Sequence, residues 1–138
     1  MTHDSETAAV LAVFEEVAAA FGALDIPRFR RCYDLPCLMV RAGQPAIAIA
    51  NEANFQAFFA PILERLAAAG FARSIIGRHV VHLLGTDLAL ASLHWTRCRA
   101  DGAEIERFGA TYTLSRIAGA WRIVTLAAHG ENGILPPA

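Results

Sequence analysis

A chain of 138 residues that carries 12 arginines and no lysine against 13 acidic residues has a net charge of -1. It therefore lacks the clustered positive excess that a nucleic-acid backbone demands, and nucleic acid is not an expected partner. Apolar residues make up 55% of the chain, above the roughly 45–50% of ordinary globular domains, yet every stretch long enough to cross a bilayer is broken by charge, Gly or Pro, so no membrane span is expected.

The length suits one domain, residues 1–138, with a core that needs neither disulfide nor structural metal. The apolar surplus is expected to go into a subunit interface and an apolar cavity. Cys32, Cys37 and Cys98 cannot all pair within the chain, which fits a reducing compartment. The start Met-Thr-His-Asp-Ser-Glu has no secretory pattern, and a cytoplasmic protein is expected.

In chain order, Val10, Leu11, Phe14, Val17, Ala18 and Phe21 recur at helical spacing after the capping residues Asp4 and Ser5, and Gly22 stops the pattern. Asp25 then caps a short helix to about Cys32, with Pro27 tolerated in its first turn. Leu35 to Arg41 is an apolar run entered through Pro36, which predicts an edge strand because proline cannot donate to a central ladder. Ala46 to Ala50 offers a second short strand. Asn51 caps a helix that buries Phe55, Phe58, Phe59, Ile62, Leu63 and Leu66, and Pro61 predicts a kink or break near Ala60.

Beyond Gly70 the period changes to two. Phe71 to Ile76 and His79 to Leu84 read as strands, followed by Leu88 to Arg99, Glu106 to Ser115 and Trp121 to Ala128, with turns at Asp101-Gly102 and Ala118-Gly119. Helices and short strands followed by a long meander are an α+β signature.

Phe29 to Tyr33 with the apolar strand behind it, and the hairpin Tyr112-Thr113-Leu114-Ser115-Arg116-Ile117-Ala118-Gly119-Ala120-Trp121-Arg122-Ile123-Val124, resemble the nuclear transport factor 2-like (NTF2-like) superfamily. That superfamily includes SnoaL-like polyketide cyclases, ketosteroid isomerases and scytalone dehydratase. The resemblance covers nearly the whole chain. It implies a cystatin-like α+β cone, a curved and mainly antiparallel sheet around a long N-terminal helix, with a cavity at the open end. It also implies frequent homodimers. The carboxylates of the ketosteroid isomerase pattern are absent: Val17, Val40 or Arg41, and Thr113 stand at the matching positions, which disfavours that proton shuttle.

A two-residue turn at Asp101-Gly102 sets His94 opposite Gly109, Ser92 opposite Thr111 and Leu90 opposite Thr113. A tight turn at Gly85-Thr86 sets His79 opposite Ser92. On this register His94, His79, Thr111 and Thr113 face core and cavity, while Trp95, Phe108 and Tyr112 form an apolar homodimer face. His94 and His79 are then the candidate catalytic residues, because an imidazole can polarise a carbonyl, orient a water or move a proton, with hydrogen-bonded strand residues as the competing reading. Tyr33, Asp34, Thr111 and Thr113 are the candidate ligand-binding residues. Tyr33 matches a position where the family often places a cavity tyrosine, and Asp34 is a base if buried or a turn residue otherwise.

No converging set of metal ligands, phosphate loop or nucleophile-base pair appears, so no metal and no cofactor are expected. Two functions follow. One is a cofactor-independent protein that binds or transforms a small hydrophobic metabolite, of isomerase, dehydratase, cyclase or hydrolase type. The other is a non-catalytic dimerising or scaffold module whose own side chains fill the cone. An open cavity lined by Tyr33, His79 and His94 separates the first from a cone closed by Phe55, Phe58 and Phe59.

Overall fold

The computed structural model describes residues 2–137. The long first helix, α1 (His3–Gly22), is capped by Thr2, whose side chain accepts from the Ser5 N–H, ahead of the expected caps at Asp4 or Ser5. It buries Val10, Phe14, Val17, Ala20 and Phe21. Asp25 caps α2 (Ile26–Arg30) through the Arg28 N–H at 3.1 Å, as its spacing predicts. Ion pairs then pin α2: Arg28 to Glu16 at 2.7 Å and Arg30 to Glu52 at 3.0 Å.

Strands β1 (Tyr33–Arg41) and β2 (Ile47–Ile49) come next. The expected edge position of β1 is overturned, because β1 lies between β2 and the last strand. Pro36 is accommodated because the pairing to that last strand jumps from Tyr33 to Leu38, leaving the proline in an irregular stretch where no ladder donor is needed. Helix α3 (Glu52–Ala68) is capped by Asn51 and runs unbroken through Pro61, against the expected break. Pro61 is on the exposed side, while Phe55, Phe59, Leu63 and Leu66 are buried and offset the missing hydrogen bond.

Four long strands complete the chain: β3 (Phe71–Leu84), β4 (Leu88–Arg99), β5 (Glu104–Ile117) and β6 (Ala120–His129), with a short 3-10 turn at Glu131–Gly133. The two strands expected before Leu84 are one, carrying a bulge between Ile76 and His79. The sheet order is β2-β1-β6-β5-β4-β3, antiparallel except where β1 meets β6. This is the expected α+β cone, an open curved sheet around helices.

The inner face of the sheet is the one expected outside. Ala89, Ala91, Leu93 and Trp95 of β4, with Ala110, Tyr112 and Leu114 of β5, are all buried, and Phe14 of α1 packs on Tyr112 with ring centroids 4.6 Å apart. The more apolar face of a sheet goes against the helices because it loses more water contact there. The proposed homodimer face of Trp95, Phe108 and Tyr112 is therefore corrected: it is the interior of the cone, and using it between subunits would require opening the core. At the narrow end Arg116 closes the sheet over α1, bonding Glu6 at 2.8 Å and Asp87 at 3.1 Å and lying over the Trp121 ring.

Candidate functional site

The wide end of the cone holds a cavity of about 310 Å³. Its walls come from every layer: Val17 and Phe21 of α1, Phe29 of α2, Tyr33, Met39 and Arg41 of β1, and Phe58, Phe59, Ile62 and Arg65 of α3. Ser74 of β3, Trp95 and Arg97 of β4, Glu106, Phe108 and Tyr112 of β5, and Leu126 and Ala128 of β6 close it. Phe29, Tyr33, Phe55 and Phe59 form one aromatic cluster behind it, each ring within 5.9 Å of its neighbours. The cone is thus neither closed by its phenylalanines nor lined by the two histidines. Phe55 is fully buried behind the wall, Phe58 and Phe59 line it, and space remains.

Few polar groups face this space. Trp95 donates its indole N–H to the Tyr112 hydroxyl at 2.9 Å, which leaves the Tyr112 O–H free to donate elsewhere. Burial raises the pKa of Tyr112, and the bond from Trp95 and the charge of Arg97 offset only part of that. Burial likewise lifts Tyr33 well above the ordinary tyrosine value, with Tyr112 and the Cys37 and Cys32 thiols adding to the shift and no hydrogen bond among its causes. Both phenols are therefore neutral donors throughout the physiological range.

Across the strand pair, Arg97 and Glu106 are direct partners, bonded at 2.7 Å, while Arg65 reaches the other carboxylate oxygen at 2.8 Å. Arg97 also lies over the rings of Phe21 and Phe108, at 5.0 and 4.5 Å. Its pKa is lowered, first by burial, against the opposing pull of Glu106. Burial pushes the Glu106 pKa up, but the hydrogen bonds and charges of Arg65 and Arg97 outweigh it and hold the carboxyl below its usual value.

The candidate residues divide sharply. Tyr33 lines the cavity and is 1% exposed. Asp34, its neighbour on β1, is half-buried and outside the cavity wall. The register around His94 is as expected, with His94 opposite Gly109, Ser92 opposite Thr111 and Leu90 opposite Thr113, but this face is the outer one.

There the segment after β6 folds across the sheet and occupies these side chains. His94 Nε2 meets Glu131 at 3.3 Å, Thr111 bonds both Ser92 at 2.9 Å and His129 at 2.8 Å, and the Leu135 N–H donates to Ser92 at 3.0 Å. Thr113 accepts from Thr125 at 2.7 Å.

His79 parts company with His94. The turn between β3 and β4 is three residues, pairing Leu84 with Leu88, so His79 faces Leu93 rather than Ser92. The one-residue slip persists until the bulge after Ile76, where the predicted register resumes with Ile76 opposite Trp95. His79 is exposed, its ring bonded to the Gly77 carbonyl at 3.0 Å. His82, not His79, shares the His94 face and bonds the Pro136 carbonyl at 3.1 Å. The expected pair of cavity histidines is thus not formed.

Sequence reasoning missed Arg41, Arg65, Arg97 and Glu106. The signal was present: Arg97 and Glu106 stand opposite each other on the strand face that carries Leu93, Trp95, Phe108 and Tyr112, and charges on a face bound for burial call for a partner. Among the described residues, no cluster of three or more His, Cys, Asp or Glu is placed to hold a metal, and no helix is long and apolar enough to cross a membrane. The three cysteines are free and buried. Burial raises the Cys32 and Cys37 pKa values to about 11, so both are protonated packing groups.

Comparison with known proteins places this geometry. The profile of a family described as NTF2-like protein (DUF6841) matches residues 5–131. Aln2 from a Streptomyces species superimposes with a TM-score of 0.76 at 14% identity, covering 96% of this chain and 95% of its own. An NTF2-like protein with a cystatin-like fold from Novosphingobium aromaticivorans gives 0.74 at 16% identity, covering 94% and 84%. An NTF2-like protein of unknown function from Pseudomonas putida gives 0.72 at 20% identity, covering 94% and 88%. Likeness at this level of identity carries the fold alone. No curated protein matches the chain.

Proposed function

The chain belongs to the NTF2-like family DUF6841, and on that premise we propose that its cone binds a small hydrophobic metabolite, holding the ligand's polar atom against two neutral tyrosine hydroxyls. The observation that carries this reading is the open cavity of about 310 Å³ whose walls are mainly aromatic and aliphatic, with a few charged side chains among them, a size and character suited to a compact ring system. Burial of such a ring is favourable by about 25 cal/mol for each Å² of apolar surface removed from water.

Tyr33 and Tyr112 give the site its orientation, and any chemistry it performs. Two protonated phenols on the wall of one cavity are suited to polarise a carbonyl without a cofactor, which fits a cofactor-independent transformation better than the carboxylate shuttle whose positions here hold Val17, Val40 or Arg41, and Thr113. The scaffold alternative is disfavoured by the remaining volume. The buried thiols fit a reducing interior, and the cytoplasm is the proposed location.

A titration with 2-naphthamide, a neutral fused ring bearing one carbonyl, tests the proposal. Saturable binding is expected in the wild type, and Tyr33→Phe should weaken it about fivefold to tenfold, the worth of one hydrogen bond of roughly 1 kcal/mol. Wild-type protein that does not bind the amide, or a Tyr33→Phe variant that binds it equally well, removes the reading.

A further inference from the structure

The same cavity carries more positive charge than its protein partners neutralise. Three guanidiniums, Arg41, Arg65 and Arg97, line it against one carboxylate, Glu106, an excess of two positive charges in a wall otherwise built of rings and aliphatic chains. Arg65 and Arg97 each spend one N–H on Glu106, out of five donors per guanidinium.

Arg41 is the sharper case. Its Nε is buried with no hydrogen-bond partner, and among the described residues no carboxylate pairs with it. It sits at the end of β1 beside Ala128 of β6 and shares the cavity wall with Phe58 and Ile62 of α3. An unpartnered buried donor on a cation costs free energy in the empty protein, and an anion entering the cavity removes that cost. Arg97 points the same way: its side chain is only 16% exposed, and burial depresses its affinity for a proton despite Glu106. Glu106 and the Phe21 and Phe108 rings already brace Arg97, and a negative ligand adds to that stabilisation where the positive charge is withdrawn from water.

The ligand chemistry follows from what the wall already does. Glu106 shows that guanidiniums on this wall already hold a planar carboxylate, one arginine on each oxygen, by charge-assisted hydrogen bonds stronger than neutral ones. We propose, building on the ligand-binding reading above, that the cavity takes an aromatic or alicyclic carboxylic acid, its ring against Phe58, Phe108 and Trp95 and its carboxylate on the Arg41 guanidinium, with the Arg65–Glu106–Arg97 cluster supplying the remaining positive field. A neutral metabolite would leave Arg41 unpartnered; an acid satisfies it.

The test compares 2-naphthoate with 2-naphthamide by calorimetric titration against the whole chain, in wild type, Arg41→Gln and Arg65→Gln. The acid should bind at least about tenfold more tightly than its amide, the advantage of a charge-assisted over a neutral hydrogen bond. That advantage, read as the ratio of the two affinities within the same variant, should shrink to within about threefold in Arg41→Gln. Arg65 lies at the mouth with its side chain 55% exposed, so Arg65→Gln should lower the preference by a smaller but measurable factor of about two to three, which tests the positive field if Arg41→Gln fails to fold. Equal affinity for acid and amide in the wild type overturns the anion inference and leaves the ligand-binding reading standing. Failure of both compounds to bind overturns both. A preference for the acid that survives unchanged in both variants overturns the assignment of the arginine anchor.

Discussion

Trp95→Ala is expected to destabilise the protein by about 3–5 kcal/mol, whereas His94→Ala, one residue earlier on the same strand, should cost under about 1 kcal/mol. The contrast follows from the faces of β4. Trp95 is 3% exposed, packed inside the cone, and donates its indole N–H to Tyr112, so truncation removes a large apolar side chain and strands a buried hydroxyl that was accepting from it. His94 lies on the outer face, half-buried, with one polar partner, Glu131 at 3.3 Å, on side chains 22% and 39% exposed, and ion pairs at the surface contribute little. For a chain of this size each kcal/mol moves Tm by about 4 °C, so thermal unfolding should fall by roughly 12–20 °C for Trp95→Ala and by a few degrees for His94→Ala. Comparable shifts in the two variants would mean that the inner and outer faces are misassigned.

Ala128→Trp should abolish most ligand binding while leaving the fold intact. Ala128 lines the cavity near the end of β6, opposite Ala110 and beside Arg41, yet is itself exposed. An indole there enters open space at the mouth rather than a packed core, so thermal stability should hold within a few degrees. It also takes up much of a cavity of about 310 Å³, and a ligand forced to share it meets the overpacking cost of about 1–3 kcal/mol. That corresponds to a loss of roughly fivefold to more than a hundredfold in affinity for 2-naphthamide. Unchanged affinity would place the ligand elsewhere, the outer face with His94 and Thr111 being the next surface to search.

The fold was legible because most of it rests on periodicity. The stripe Val10, Phe14, Val17 and Phe21 and the caps at Asp25 and Asn51 follow from local physics. The β4–β5 register matches the expected one although the turn is longer than the two residues expected. The loop is three residues, with Arg99 paired to Ala103 and Gly102 in a left-handed conformation, and an extra residue on β5 between Glu104 and Glu106 restores His94 opposite Gly109. At the other end of β4 the turn is again longer than expected, the slip persists until the bulge after Ile76, and His79 falls in the slipped stretch.

The site was less legible because period two says which residues share a face and not which face is inside. Placing the two histidines inward put the most apolar residues of the sheet outside, against the free energy of burying them. With the faces set by hydrophobicity alone, Trp95, Phe108 and Tyr112 become the wall, and Arg97 and Glu106 stand out as charges on it. Arg41 and Arg65 come from elements distant in sequence, and nothing local in the chain joins them to that wall. Tyr33 alone of the expected ligand-binding residues lines the cavity, and the resemblance, rather than the local pattern, indicated it.

The chain has two tryptophans, and they sit at opposite ends of the cone, which makes their indole N–H signals a direct reading of where a ligand goes. Trp95 lines the cavity, while Trp121 lies under Arg116 at the narrow end and is absent from the wall. In a two-dimensional nitrogen-proton spectrum titrated with 2-naphthoate, the Trp95 indole signal should move progressively and saturate, and the Trp121 signal should stay within its linewidth. Movement of the Trp121 signal alone, or stillness of both at saturating ligand, would contradict a cavity at the Trp95 and Tyr112 face that receives hydrophobic ligands.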